Sequence, residues 1–335
     1  MPKVQLIPDC NQNGRYNACA YIRVLDPLKL IAEKGRIELT KPSRLGEVTD
    51  ADIVYIQRFG NAKVSLVQLQ SYVEYCKRNK KKIIYELDDN LLDAPSVPVE
   101  EKCKVRFLIR SADIVVVSTG PLKMRLASMN PNICVIPNML SQKRIEGNIT
   151  SKSSGKIRIG YMGTFTHQAD FQMVLLPLMK ILTKYKDVVE LELVGSVSDL
   201  GLIGTLPNVR TVSIIGRDHY SEFWKWVKKD IAWDIGIAPL KRNDFTVCKS
   251  DIKFLDYAGM NCCGVFSDHP AYCNTVKHGK NGLLTENSVD SWFENLETLI
   301  LDENLRKSLR DAARKELYQN RLLESNLDGW ISLLE

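Results

Sequence analysis

The sequence predicts an α/β protein of two domains, each built on a parallel sheet. Three observations carry this. Short apolar, β-branched runs alternate with longer amphipathic stretches along the chain, the pattern of strand, crossover helix and parallel strand. The alternation runs twice, and a polar, serine-containing stretch, residues 141–155, separates the two passes as a candidate hinge. The 335 residues suffice for two such domains, and no repeat at solenoid spacing competes.

In the first half, residues 3–8 read as a strand, followed by a glycine-containing loop, 9–17, and an amphipathic helix from about 19 to 34. The loop lacks the six-residue dinucleotide-binding glycine pattern. Residues 51–57 form a strand and 64–78 a helix. Lys77, Arg78, Lys80, Lys81 and Lys82 lie at that helix's end, where they complement its dipole or offer a contact for anionic lipid. Residues 82–87 are the next strand, and Asp88-Asp89-Asn90 follow at its carboxyl end. Ligands bind at the carboxyl ends of strands in open α/β sheets, although the same residues also suit a helix-capping loop. Two adjacent carboxylates are too few ligands to argue a metal. Residues 112–118 are a strand, Pro121 sits in the first turn of a helix, and 133–138 form the last strand of this half.

Residues 156–163 restart the alternation. Gly163 opens a loop whose backbone N–H groups can approach a ligand closely. Thr164 and His167 lie in that loop, and Asp170 is placed to cap the helix that follows. Residues 188–195 and 209–216 are further strands, with Gly195 and Arg217 at their ends. Residues 221–229 form a helix whose Trp224 and Trp226 pack internally. The run 231–240 is a buried strand ending at Pro239, and a polar loop, 241–247, leads out of it.

The stretch 248–259 comes next. Ser250 or Asp251 caps a helix with Ile252, Leu255 and Gly259 on its apolar face. The free N–H groups of its first turn, its dipole, Lys249 and Lys253 together make an anion site. Asp256, six residues after Ser250, is spaced to accept hydrogen bonds from a pair of sugar hydroxyls. Plainer readings exist: two lysines four apart describe a solvated helix face, and Asp256 a surface carboxylate. Residues 262–267 are a strand, 277–284 a turn, and 289–301 and 303–318 two helices. In the tail, Leu322, Leu323, Leu327, Trp330, Ile331 and Leu334 have the spacing of a last helix packed on the body.

Composition narrows the classes. With 44% hydrophobic and 26% charged residues, the chain is an ordinary globular one. A net charge of +6 permits an acidic partner, but the charge is spread out and no aromatic-interleaved basic patch argues for nucleic acid. Nine scattered cysteines without a Cys-x-x-Cys pair fit reduced thiols, and four histidines without metal-ligand spacing predict no zinc. The opening residues carry no signal-peptide core, and no apolar run approaches the ~20 residues that span a bilayer. The expectation is a cytoplasmic protein, with a peripheral place at the inner face of the membrane left open.

The stretch 248–259 resembles the donor-site segment of the retaining GT-B glycosyltransferases related to glycosyltransferase family 4. Gly14-Arg15-Tyr16, Tyr85 to Leu91, Ile136-Pro137-Asn138 and Asn281-Gly282-Leu283-Leu284 resemble other segments of that family. The likeness covers nearly the whole chain and is strongest from 158 to 316. Many members carry two glutamates separated by seven residues; here Asp256 stands at the second position and Cys248 at the first. The resemblance implies two Rossmann-like domains with parallel sheets facing a central cleft. Residues 1–150 would form the acceptor side and 151–315 the nucleotide-sugar-binding domain. Residues 316–335 would be a C-terminal helix with the option of crossing back. It further implies transfer of a sugar from a nucleotide sugar, a UDP-sugar in preference, to a glycan or lipid-linked glycan, with retention, without metal and without cofactor. The implied donor-binding residues are Gly163, Thr164, His167, Gly195, Arg217, Lys249, Ser250, Lys253 and Asp256. Gly14, Arg15 and Arg23 fall on the acceptor side, and Asp88, Asp89 and Lys253 are the candidate catalytic groups. A glycosyltransferase acting on nucleic acid, a nucleotide-sugar epimerase and a non-catalytic partner subunit share the fold and remain as alternatives.

Overall fold

Residues 1–11, 13–60, 64–147, 155–195, 200–213 and 220–335 are described in the computed structural model. Among them, the apolar runs form two all-parallel sheets of six strands. The first contains β1 (Lys3–Ile7), β2 (Glu38–Leu39), β3 (Ile53–Gln57), β4 (Lys82–Leu87), β5 (Ile114–Val117) and β6 (Ile133–Val135). The second contains β7 (Ile157–Gly163), β8 (Val189–Gly195), β9 (Val209–Val212), β10 (Ile235–Ala238), β11 (Cys263–Ser267) and β12 (Leu283–Thr285). Strands β3, β10 and β11 are buried along their whole length, as parallel strands covered on both faces must be.

The strand orders locate where each sheet can bind a ligand. The first sheet runs β2-β1-β3-β4-β5-β6 and the second β12-β11-β10-β7-β8-β9. In the first, the chain reverses direction across the sheet between β1 and β3; in the second, between β7 and β10. Crossovers leave on opposite faces at such a point, so a crevice opens beyond the carboxyl ends of those two strands.

The chain divides into two compact units: Met1–Ser141 with Val247–Ser250 and Leu322–Glu335, and Gln142–Thr246 with Asp251–Arg321. In the first, the helix Asp26–Glu33 and the tail helix Asp328–Leu334 cover one sheet face through Leu28, Ile31 and Trp330. The Trp330 indole N–H donates to the Arg23 carbonyl at 3.0 Å. In the second, Trp292, Leu296 and Leu299 pack over Ile159, Leu191 and Ile235. Gly160 in β7 is required by this packing, because a Cβ there would lie 1.8 Å from the Trp233 ring.

Three expectations change. The helix read over 19–34 is interrupted by a π-helical turn, Tyr21–Leu25. Asp26 N–H reaches back five residues to Tyr21 O, and Pro27 has no N–H to continue an α-helical ladder. The stretch after Ser141 begins as a helix, Gln142–Ile145, with Ile145 buried; residues 148–154 lie outside the described ones. The lysine run is partly internal: Lys81 Nζ donates to the carbonyls of Thr49 and Ala51 at 2.9 and 2.5 Å, and Lys82 Nζ to that of Leu333 at 2.7 Å. Among the described residues, no helix is long and apolar enough to cross a membrane.

Candidate functional site

At the β7/β10 switch point the organising group is Asp170. It lies inside the helix Gln168–Gln172, and its side chain does not cap that helix as its spacing suggested. Instead Oδ1 accepts the Lys241 N–H at 2.8 Å, and Oδ2 meets His167 Nδ1 at 2.8 Å. One buried carboxylate thus ties the loop after β10 to the loop after β7. Thr164 Oγ1 bonds Thr166 Oγ1 at 2.7 Å in the latter loop. Gly195 ends β8 with φ +94°, and a Cβ there would lie 2.2 Å from the Gly163 carbonyl, so the chain leaves both strands in close contact only as glycine. Ser267 Oγ accepts the Leu240 N–H at 2.8 Å and Asn287 Nδ2 donates to Leu240 O at 3.0 Å, which fixes the mouth of β10. Arg242 is exposed beside it. Lys241 and Arg242 were read from sequence only as part of a polar loop. Arg217 lies outside the described residues.

The helix Ile252–Gly259 forms, but neither proposed cap holds it. The Asp251 side chain makes no capping hydrogen bond to its first turn. The Asp251 carboxylate instead receives both terminal nitrogens of Arg321, at 2.7 and 2.9 Å, and the Thr275 hydroxyl at 2.6 Å. Ser250 Oγ accepts from Asn138 Nδ2 at 2.7 Å. Lys253 Nζ stands 3.8 Å from Asp256 Oδ2. Burial pushes the Asp256 carboxyl up to about 6, with Lys253 opposing. Lys249 belongs to the first unit, 3.5 Å from Asp89 Oδ1, and Lys253 to the second. Cys248 likewise sits in the first unit's core, its carbonyl accepting from Thr119 Oγ1 at 2.8 Å and its thiol 3.8 Å from Asn90 Nδ2.

At the β1/β3 switch point the organising group is Arg58, which directly follows β3. Its φ of +48° is uncommon for a side-chain-bearing residue. Its guanidinium meets Asp88 Oδ1 at 2.5 Å, Asp89 Oδ2 at 2.8 Å and Asp9 Oδ2 at 3.9 Å. Asp9 also accepts from Asn17 Nδ2 at 3.2 Å, and burial raises its carboxyl while Arg58 opposes the rise. Asp88 and Asp89 are therefore brought together as expected from their place after β4, and sequence reasoning missed the two groups that complete the cluster, Asp9 and Arg58. The only signal for Arg58 was its position at the carboxyl end of a buried strand. Gly14 and Arg15 are exposed in the loop after β1, Gly14 with φ +74°. Among the described residues, no group of three or more His, Cys, Asp or Glu is arranged to hold a metal ion.

Arg23 is a correction. Sequence reading put it on a solvated or acceptor-facing side, yet it is 0% exposed. The helical segment carrying it packs on the sheet. Its Nε donates to Glu86 Oε1 at 2.8 Å, and Nη1 donates to Ile136 O at 2.6 Å and Asn138 Oδ1 at 3.0 Å. Burial pushes the Glu86 carboxyl up to about 7. Arg23 holds the core together and, through Asn138, positions Ser250.

No family model matches the chain, and no curated protein does. Solved structures do. The structure of Anabaena Alr3699/HepE in complex with UDP and glucose is 13% identical, with a TM-score of 0.66 over 100% of this chain and 99% of that one. That of WaaG, a glycosyltransferase involved in lipopolysaccharide biosynthesis, is 11% identical, with a TM-score of 0.64 over 100% and 99%. Sucrose-phosphate synthase from Thermosynechococcus elongatus is 12% identical, with a TM-score of 0.62 over 84% of this chain and 73% of that one. At these identities the likeness establishes the fold: two Rossmann-like units of the GT-B class.

Proposed function

We propose that this protein is a glycosyltransferase that moves a sugar from a nucleotide sugar, a UDP-sugar in preference, to a glycan or lipid-linked glycan, with retention and without metal or cofactor. The observation that carries the proposal is the β7/β10 switch point. There Asp170 holds the loops of two strands together and Arg242 is exposed in the second of these loops; the helix that follows would bring Lys253. Nucleotide-sugar chemistry at this place is supported by solved structures of similar fold in complex with UDP and glucose, or with UDP-glucose.

Departure of a nucleoside diphosphate puts negative charge on its terminal phosphate. Lys253, Arg242, the first-turn N–H groups and the loop of Gly163 and Thr164 would stabilise it, and preorganised charge of this kind is usually the largest contribution to rate. His167, Gly195 and Arg217 complete the proposed donor contacts, with Asp256 at the nucleoside hydroxyls. Cationic side chains and helix N–H groups do the work a metal would otherwise do. Asp88 and Asp89, with Gly14 and Arg15, would serve the acceptor; the carboxylates accept hydrogen bonds from its hydroxyls. With no carboxylate assigned as nucleophile, attack would come from the face the diphosphate leaves, giving retention. An acceptor carried on lipid would be met at the membrane surface.

Incubation with UDP-, GDP-, TDP- and CMP-sugars, with and without EDTA, tests this. The expected result is binding of one nucleotide class and chelator-resistant hydrolysis or transfer with a retained anomer by NMR. A free epimer would indicate an epimerase, and binding without turnover a partner subunit.

A further inference from the structure

His269 lies two residues beyond the end of β11 and is 1% exposed. Its Nδ1 accepts the Ala271 N–H at 3.1 Å, capping the short helix Pro270–Cys273. An accepting Nδ1 places the ring proton of a neutral imidazole on Nε2. Burial first, and Arg242 second, hold this imidazole down at about 4, so the ring is neutral near pH 7. Its Nε2–H is therefore a buried donor of fixed position, and it has no hydrogen-bond partner among the described residues. An unmet buried donor is costly and calls for an explanation.

The surroundings say what would meet it. Asp170, Asp268 and Arg242 are the charged groups that act on the ring. Asp170 is already committed to Lys241 N–H and His167, and it stands at the switch point described above. His269 thus belongs to the same carboxyl edge of the second sheet, one strand further on. We propose that His269 is a donor-site binding residue whose Nε2–H hydrogen-bonds a phosphate oxygen of the bound nucleoside diphosphate; this rests on the nucleotide-sugar reading. A phosphoryl oxygen accepts and does not donate, which suits a donor-only nitrogen next to a cation. A sugar hydroxyl would bring a proton of its own toward Arg242.

The test compares wild type, His269→Asn and His269→Gln by calorimetric binding of UDP and UDP-glucose, by competition with uridine, and by melting temperature. Asparagine keeps an oxygen for the Ala271 N–H and is a favoured cap, but lacks the distal donor. Glutamine carries an amide N–H near the place of Nε2. The expected result is that His269→Asn binds UDP and UDP-glucose roughly ten- to hundred-fold more weakly, with uridine unchanged. His269→Gln should recover most of the loss, and both variants should stay folded. Wild-type UDP affinity in His269→Asn would overturn the proposal. So would a loss confined to UDP-glucose, a parallel loss for uridine, or a folded His269→Gln no better than His269→Asn. A wild type that binds no nucleotide at all would remove the nucleotide-sugar reading and this proposal together. A wild type that binds UDP while His269→Asn does so equally removes only this proposal.

Discussion

The two sheets gather charge at their switch points in opposite senses. Beyond β1 and β3, three carboxylates, Asp9, Asp88 and Asp89, surround one guanidinium, Arg58, with Lys249 beside Asp89. Beyond β7 and β10, the carboxylate Asp170 faces a backbone N–H and an imidazole, and Arg242 follows Lys241 in the same loop. An excess of carboxylate accepts hydrogen bonds from neutral hydroxyls, whereas N–H groups and cations receive an anion. Similar sheets therefore carry different charge patterns at this place, and the difference lies in a few residues after each strand rather than in the strands.

The largest effect should come from taking away the group that makes the acidic cluster tolerable. Arg58→Ala leaves three carboxylates crowded and partly buried without their shared cation. Removing one partner of a buried charge cluster costs about 3–5 kcal/mol. Urea unfolding should show a loss of that size in the first unit, and a smaller one when Asp89→Asn is already present, because the two act on one network. Additive losses would mean that the cluster is not a unit.

In the second unit, Asp256 makes a prediction of opposite sign. Its carboxyl stands at about 6 when folded, against 3.8 ordinarily. A carboxyl whose folded value lies above its unfolded one contributes stability below the unfolded value and loses it as pH rises through the folded value. Asp256→Asn has no such loss. Relative to wild type it should gain stability between about pH 4 and pH 6, approaching about 3 kcal/mol at pH 7. Melting curves across pH 4–8 check this; parallel curves for the two proteins would show that Asp256 is well solvated.

Lys253 tests the cationic side of the comparison more directly. Loss of a charge-assisted hydrogen bond to phosphate costs ~1.5–3 kcal/mol, so Lys253→Ala should bind UDP roughly ten- to hundred-fold more weakly. Calorimetry on a folded variant measures it. Unchanged affinity would leave the anion site without its lysine.

Much of this was legible before any coordinates. The strands could be read because parallel strands buried on both faces must be continuous apolar runs, and β3, β10 and β11 are. The carboxyl ends of β4 and β7 pointed to Asp88, Asp89, Gly163 and His167. What could not be read was pairing across the chain. Arg23 looks like any helical arginine until Glu86, 63 residues away, is seen to hold it. Arg58, Asp9 and Asp88 share no local pattern, and only the strand order β1-β3-β4 makes them neighbours. Asp251 has the right spacing for a cap, but Arg321, 70 residues later, claims its carboxylate. Long-range ion pairs override local propensity in each case.

Lys249 and Lys253 are the sharpest form of the comparison. They are four residues apart, and sequence alone reads them as one clamp. The chain passes from the first unit to the second between Ser250 and Asp251, so the lysines fall on different sides. Lys249 Nζ lies 3.5 Å from Asp89 Oδ1, with the lysine side chain 18% and the aspartate 23% exposed. A partly exposed ion pair of this kind contributes ~0–1 kcal/mol. Lys249→Ala should therefore lower the first unit's stability by no more than about 1 kcal/mol. That loss should shrink in 1 M salt, where the Debye length is about 3 Å. UDP affinity should stay within about twofold of wild type, a change of less than about 0.5 kcal/mol. The decisive measurement is UDP binding by Lys249→Ala and Lys253→Ala at one ionic strength. If both weaken it equally, the two lysines act as one phosphate clamp after all. If only Lys253→Ala does, the acidic cluster keeps Lys249 for itself and the anion site belongs to the second sheet alone.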